Sequence, residues 1–130
     1  MSDVTVRKLD EMEAMFRSAL KKAGAELGVQ SFGMNVIEMP PNVGERYPEH
    51  THEDDGQEEV YVVLKGSGRI VADGEEIALD PETFVWCGPA AKRKVFSGEQ
   101  GLRLLVLGGV PGAPYRRPAV FAKGTTEPPA

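Results

Sequence analysis

The sequence predicts an all-β domain, a small antiparallel sandwich or barrel, with one N-terminal α-helix. After residue 31, short runs rich in β-branched and aromatic residues recur, and glycines, prolines and Asp-Gly pairs separate them. This pattern is typical of all-β sandwiches and barrels. Before residue 31, apolar residues instead recur at helical spacing. The length of 130 residues fits a single domain.

The helix is predicted over residues 10–27. Asp10 can act as its N-cap, and Glu13 completes a capping box. Gly28 stands where the helix would end. The apolar residues at helical spacing are Met12, Met15, Phe16, Ala19, Leu20, Ala23 and Leu27. We expect this apolar stripe to pack on the body of the domain.

Short strands are predicted after the helix, at residues 32–39, 59–64, 69–72, 75–79, 83–87, 94–96 and 102–107. Turn signals separate them. Gly66-Ser67-Gly68 follows the second strand, and Asp73-Gly74 is a hairpin signal between the third and the fourth. Asp80-Pro81 and Gly88-Pro89 mark the next two turns. The frequent turns indicate a compact antiparallel arrangement.

Three regions of the chain follow from this pattern. Residues 1–31 are expected to form a helical segment that packs on a barrel, and residues 32–110 are expected to form the barrel. Residues 111–130 form a proline-rich tail, whose end from residue 123 is expected to be disordered.

Charge and composition exclude several classes of function. The net charge is −5 and the isoelectric point is near 5.1, which argues against a general nucleic-acid-binding role. No apolar run approaches the roughly 20 residues that span a membrane, and the N-terminus lacks an apolar signal segment. The lone cysteine, Cys87, cannot form an internal disulfide, which favours a reducing compartment. We therefore expect a soluble, cytoplasmic protein without nucleic-acid or membrane partners.

The only two histidines of the chain, His50 and His52, stand one residue apart just before the most apolar predicted strand. Residues i and i+2 of an extended segment point to the same side. Two imidazoles on one barrel wall form half of a metal site, and a carboxylate would complete a 2-His-1-carboxylate arrangement with positions open for water or substrate.

The spacing around the histidines resembles the first motif of the cupin superfamily, G-x5-H-x-H-x(3–4)-E-x6-G. Gly44, His50, His52, Glu59 and Gly66 match its fixed positions. The departure is the interval between His52 and Glu59, which holds six residues instead of three or four. The chain is therefore similar to small single-domain cupins of the cupin 2 conserved-barrel type.

The lengthened interval leaves the third ligand open between two residues. Counting forward from His52 places Gln57 at the carboxylate position of the motif. We prefer Glu59, because the pleat fixes strand register whereas a loop tolerates insertion.

The second cupin motif is only partly present. Pro89 matches its proline, whereas Ala91 replaces its inner glycine and Lys94 stands at the position of its histidine. Arg93 precedes Lys94, and on a regular strand only one of the two can face the barrel interior. We expect that one to bind an anionic substrate, and Tyr61 to contact the same substrate near the barrel mouth.

The resemblance implies a jelly-roll β-barrel that holds manganese, iron, nickel, copper or zinc, with His50, His52 and Glu59 as ligands. It also implies a homodimer, since cupin-like proteins commonly pair through sheet edges. Cupin activities range from dioxygenases, isomerases and decarboxylases to ligand binding, so the fold does not decide whether this chain is an enzyme. Two functions therefore stay open: a metal-dependent enzyme acting on a small anionic molecule, and a non-catalytic ligand-binding or structural cupin without a tightly bound metal.

Overall fold

In a computed structural model, which describes residues 3–44 and 47–125, the chain forms one antiparallel sheet with little helix. Its elements in chain order are β1 (Ala14–Met15), β2 (Leu20–Lys21), α1 (Ala23–Leu27), β3 (Gly33–Met39), β4 (Glu58–Ala72), β5 (Glu75–Leu79), β6 (Phe84–Cys87) and β7 (Arg93–Gly109). Single 3-10 turns lie at Leu9–Glu11 and Ala119–Phe121. The predicted all-β antiparallel class is confirmed.

The sheet bends along its two longest strands, β4 and β7. The strand order is β1-β2-β3-β7-β4-β5, and β6 pairs with β4 on the side away from β7. β6 pairs with the first half of β4, and β5 pairs with the second half. Side chains from both halves share one core, in which Tyr61 and Val63 join Ile70 and Val95. The two halves therefore pack on each other, as in a jelly roll.

The predicted turn at Gly66-Ser67-Gly68 is wrong, because β4 continues through it as a bulged strand. Gly66 has a φ of +85°, and a Cβ there would lie 2.1 Å from the carbonyl oxygen of Gly101. The glycines thus allow β4 and β7 to approach and bend together instead of ending a strand. The predicted strands at 94–96 and 102–107 are likewise parts of the single strand β7.

The predicted helix at 10–27 is mostly wrong, since only its last five residues form α1. Residues 14–21 form the hairpin of β1 and β2, which joins the edge of β3 through the pair Leu20 and Ile37. The apolar residues of the predicted stripe are still used, because Met15, Ala19, Leu20 and Ala23 are buried. The free hydrogen-bonding edge of β3 outweighs local helix propensity here. Gly28 ends α1 in the left-handed conformation, at the predicted position.

The C-terminal tail is fastened to the N-terminal segment by a buried lysine. Lys22 is 1% exposed, and its Nζ donates to Glu13 Oε2 at 2.7 Å and to the Ala122 carbonyl at 2.8 Å. The Gly124 amide also donates to the Glu13 carboxylate. Residues 123–125 are therefore held in place, whereas the other residues of the expected disordered end, 126–130, lie outside the described residues. The boundaries at residues 31 and 110 stay a prediction.

Across residues 3–44 and 47–125, the structure contains no helix long and apolar enough to cross a membrane.

Candidate metal centre

The two histidines lie on an extended segment that runs beside the start of β7. The His50 amide donates to the Arg93 carbonyl, and the Arg93 amide donates to the His50 carbonyl, each at 3.0 Å. The His52 amide donates to the Pro89 carbonyl at 2.8 Å. The two imidazole centroids are 5.1 Å apart. As predicted from their spacing, both side chains project to the same side.

Glu59, at the start of β4, completes a cluster with the two histidines. Its Oε1 lies 3.1 Å from His52 Nε2 and 3.8 Å from His50 Nε2. One ligand atom from each of these three residues lies within 4.8 Å of the others. Two imidazoles and one carboxylate form a donor set that suits divalent transition metals.

In each histidine, Nδ1, the ring nitrogen that points away from Glu59, has a hydrogen-bond partner. His50 Nδ1 lies 3.2 Å from the Pro48 carbonyl oxygen, and His52 Nδ1 lies 3.1 Å from Asp55 Oδ1. With the proton on Nδ1, each ring donates to these acceptors and directs the lone pair of Nε2 toward Glu59. Metal-ligating histidines usually have this arrangement, with a carbonyl or carboxylate accepting the other N–H. These residues therefore fit a divalent metal.

Asp55, in the loop between the histidines and β4, is a site residue that neither spacing nor motif indicated. Its carboxylate accepts from His52, from the Gln57 backbone amide at 3.0 Å and from Gln57 Nε2 at 3.2 Å. Although burial by itself raises the pKa of Asp55, the Gln57 amide and the His52 ring hold it below its ordinary value. Because this loop has no periodicity that relates sequence position to side-chain direction, the sequence carried no signal for the pair of His52 and Asp55.

The surroundings of Glu59 keep its carboxylate ionised. Burial alone raises the pKa of Glu59, but the His50 ring, the Tyr61 hydroxyl and the charges of His52 and Arg93 lower it below the ordinary value. The Tyr61 hydroxyl donates to Glu59 Oε1 at 2.7 Å, while burial and the Glu59 charge raise the Tyr61 pKa. The neighbouring Glu59 raises the pKa of His50, with burial opposing it. A negative oxygen therefore faces both imidazoles.

Arg93, rather than Lys94, faces the interior. Its side chain is 0% exposed and donates to the carbonyls of Ala91 at 2.8 Å, Gly88 at 3.2 Å and Cys87 at 3.4 Å. One guanidinium nitrogen lies 3.7 Å from Glu59 Oε1. Arg93 is thus a buried cation behind the carboxylate.

Neither Arg93 nor Lys94, one of which was expected to bind substrate, lines the cavity described below. Full burial keeps Arg93 from that space, and Lys94 lies on the opposite side of β7 with its Nζ 5.3 Å from the Phe96 ring centroid. Tyr61, the third residue expected to contact substrate, does line the cavity. Gln57 lines it as well, but its side chain pairs with Asp55, so the structure places Glu59 and not Gln57 beside both histidines.

A cavity of about 1110 Å³ opens beside the cluster. His50, His52, Glu59 and Tyr61 form one polar part of its wall. Most of the remaining wall is apolar or aromatic and includes Leu20, Ile37, Val95, Val106, Tyr115 and Phe121. An apolar pocket with a few convergent polar groups is the usual form of a small-molecule site.

Solved structures with a similar fold include cupin proteins. A cupin protein from Bacteroides fragilis shares 19% identity over 98% of this chain and 99% of its own, with a TM-score of 0.69. A predicted oxalate decarboxylase from Thermotoga maritima shares 19% identity over 60% of this chain and 65% of its own, with a TM-score of 0.54. The cupin domain of an XRE family transcriptional regulator from Enterobacter cloacae shares 21% identity over 65% and 86%, with a TM-score of 0.55.

Comparison of the sequence itself identifies no relative. No protein-family model matches the chain, and no curated protein matches it. The similarity therefore lies in the fold, and these neighbours include a predicted decarboxylase and a domain of a transcriptional regulator. The chain, a small antiparallel β protein with a His-His-Glu cluster beside an internal cavity, has the cupin fold.

Proposed function

We propose that this cavity binds a small molecule together with a divalent transition metal held by His50, His52 and Glu59. The observation that carries the proposal is the convergence of both Nε2 atoms on Glu59 while both Nδ1 atoms have acceptors. A divalent cation bound there supplies Lewis acidity toward an oxygen or nitrogen of the small molecule.

The chain's own residues define what such a molecule would meet. Asp55 and Pro48 orient the imidazoles, and Tyr61 and Arg93 hold the Glu59 carboxylate. The apolar wall favours a molecule with an apolar body and a polar donor group directed at the cluster. The proposal covers both an enzyme and a metal-dependent binding protein.

A second candidate is a non-catalytic cupin that binds its ligand without a tightly bound metal. Arg93 favours it, because a buried positive charge 3.7 Å from Glu59 already compensates the carboxylate. The expected cytoplasmic location and the absence of a nucleic-acid partner belong to both candidates and rest on the lone cysteine and the acidic charge.

Metal content decides between the two candidates. We expect untagged protein to carry, or to take up after incubation with Mn²⁺, Fe²⁺, Ni²⁺ or Zn²⁺, close to one metal ion per chain, since the three donors are in place. The measurement is elemental analysis by mass spectrometry after removal of free metal, with a cavity-free protein of similar charge as the control. Protein that stays metal-free in every incubation would support the second candidate and overturn the first.

The expected homodimer is proposed here through a sheet face rather than a sheet edge. Tyr61 and Val63 point into the core, so alternation directs Val60, Val62 and Leu64 outward. We call these three residues and Phe84 and Trp86 of β6 the outer apolar face. Phe84 is 70% exposed, Trp86 64% and Leu64 47%. Such a contiguous group of large apolar side chains is typical of an interface.

A second copy of the chain is the occupant that the charges favour. Glu58 lies at one end of this face, where it accepts a 2.8 Å hydrogen bond from Trp86 Nε1. Arg103, which also pairs with Glu38 at 2.6 Å within the chain, lies on β7 toward the other end. A twofold axis parallel to the sheet and perpendicular to β4 would stack the two faces and bring Glu58 of each copy toward Arg103 of the other, as a self-complementary interface requires. The fixed indole of Trp86 would supply a large apolar contact of the kind in which interface energy concentrates.

Replacing two residues of this face tests the dimer. We expect wild-type protein to sediment as a dimer in analytical ultracentrifugation, and Phe84→Ser/Trp86→Ser to sediment as a monomer with an unchanged circular dichroism spectrum. Val6→Ser, at a residue 76% exposed and outside the sheet, is the matched control and should leave the dimer intact. A wild-type monomer at all concentrations would refute this interface.

A further inference from the structure

The turn between β1 and β2 holds three consecutive residues in a strained backbone conformation. Phe16, Arg17 and Ser18 have φ angles of 55°, 56° and 69°. Residues other than glycine rarely adopt this left-handed conformation, and the turn contains no glycine. Strained residues that persist in a fold are often found at binding sites.

This turn brings a positive charge to the cavity. Phe16 and Arg17 both line it, and Arg17 is the one lysine or arginine among the described lining residues. Within residues 3–44 and 47–125, the structure gives the Arg17 side chain no hydrogen bond or ion pair. Other arginines do have partners, namely Arg7, Arg69, Arg93, Arg103 and Arg117. The guanidinium of Arg17 is therefore available to a ligand.

Arg17 and the metal cluster reach the cavity from distant parts of the sheet. Glu59 lies on β4, and Arg17 lies between β1 and β2, with β3 and β7 separating them in the strand order. Apolar residues of the intervening strands, Ile37 of β3 and Val106 of β7, line the cavity between them. The cavity wall thus carries the cation Arg17 on one side and the His-His-Glu cluster on the other, and the surface between them is apolar.

We propose that Arg17 binds the anionic end of the cavity's ligand, an amphipathic organic anion with a carboxylate or sulfonate at one end and an apolar body. A guanidinium forms a planar fork that matches such an anion with two parallel N–H donors. Phe16, 42% exposed at the same turn, contacts the apolar body. This assigns to Arg17 the anion contact that was expected of Arg93 or Lys94, and it rests on the proposed function only in requiring a small molecule in the cavity.

A pair of probes that differ only in charge tests the assignment. The probes are 1-naphthaleneacetate and its neutral analogue 1-naphthaleneacetamide, titrated into the full chain by calorimetry after treatment with a chelator. We expect wild-type protein to bind the acetate about tenfold more tightly than the amide, the usual scale of a hydrogen bond to a charged group. Arg17→Met should bring the ratio of the two affinities close to one while leaving the amide affinity within about twofold, because only the charge contact is lost.

A further variant keeps the outcomes distinct. Arg116→Met removes an exposed arginine that does not line the cavity, and it should retain the wild-type preference. Equal affinity of wild-type protein for the two probes, or an unchanged preference in Arg17→Met, overturns the role of Arg17 alone. Failure of wild-type protein to bind either probe overturns that role and the proposed ligand-binding function together.

Discussion

Replacing both histidines, as His50→Ala/His52→Ala, is expected to abolish metal binding. The substitution removes two of three donors and leaves Glu59 paired with Tyr61 and Arg93. Loss of groups that merely orient metal ligands costs roughly 10–100-fold in affinity, so loss of two ligands should cost at least about a thousandfold. Elemental analysis and calorimetric titration with Zn²⁺ measure the effect. Because both histidines are partly exposed, the metal-free variant should keep a wild-type melting temperature.

The same titration identifies the third ligand. Glu59→Gln removes the carboxylate that faces both imidazoles and should weaken Zn²⁺ binding by about a hundredfold or more, beyond the cost of losing an orienting group. Gln57→Ala is the matched control, since Gln57 pairs with Asp55 outside the cluster. Its affinity should stay within about threefold of the wild type, unlike that of a ligand. Full metal content in the double histidine variant, or a larger loss in Gln57→Ala than in Glu59→Gln, would contradict this ligand set.

The ligand set could be proposed from sequence because spacing and the resemblance to the cupin motif agree. The i, i+2 interval of His50 and His52 gives their shared side. Glu59 as the third ligand is what the resemblance implies, and strand register favours it over Gln57. The carboxylate of Asp55 could not be placed in this way. It lies in a loop, where no periodicity relates sequence position to direction, and only the fold shows it accepting from His52.

The orientation of Arg93 and Lys94 was not determined for a related physical reason. Alternation states that one of them faces inward, but it does not say which until the pairing of the strand is known. The pairing of Arg93 with Ala72 and its bridge to His50 supply that information. Burial then changes the role of the inward residue, because a guanidinium with 0% exposure contacts the structure around it rather than a ligand.

The strands of the barrel were predicted better than the connections between them. β3, β5 and β6 lie where alternation and turn signals predicted them, within one residue at each end. Gly66 and Gly68 were misread because a glycine pair signals a turn and a bulge equally, and only the close approach to Gly101 distinguishes the two. The prediction of an N-terminal helix was wrong because the same apolar residues can be buried by a hairpin once the edge of β3 is available for pairing.

Arg93→Met is expected to lower stability more than any surface substitution at this site. The methionine keeps an unbranched side chain in the space but removes the charge that compensates Glu59 and the donors to the carbonyls of Ala91 and Gly88. Breaking a buried pair in this way costs about 3–5 kcal/mol, because the remaining partner stays buried without compensation. For a chain of this size that is a fall in melting temperature of roughly 10–20 °C.

Urea denaturation of the metal-free protein measures this loss without interference from ligand binding. Lys94→Met is the matched control, because Lys94 lies on the other side of β7 near Phe96 and should change stability by less than about 1 kcal/mol. If Arg93→Met also lowered the free energy of unfolding by less than about 1 kcal/mol, water would have to donate hydrogen bonds to the carbonyls and to Glu59 in place of the guanidinium. The position of Glu59 beside the imidazoles would then depend on Tyr61 alone, and Arg93 would have no part in holding the site together.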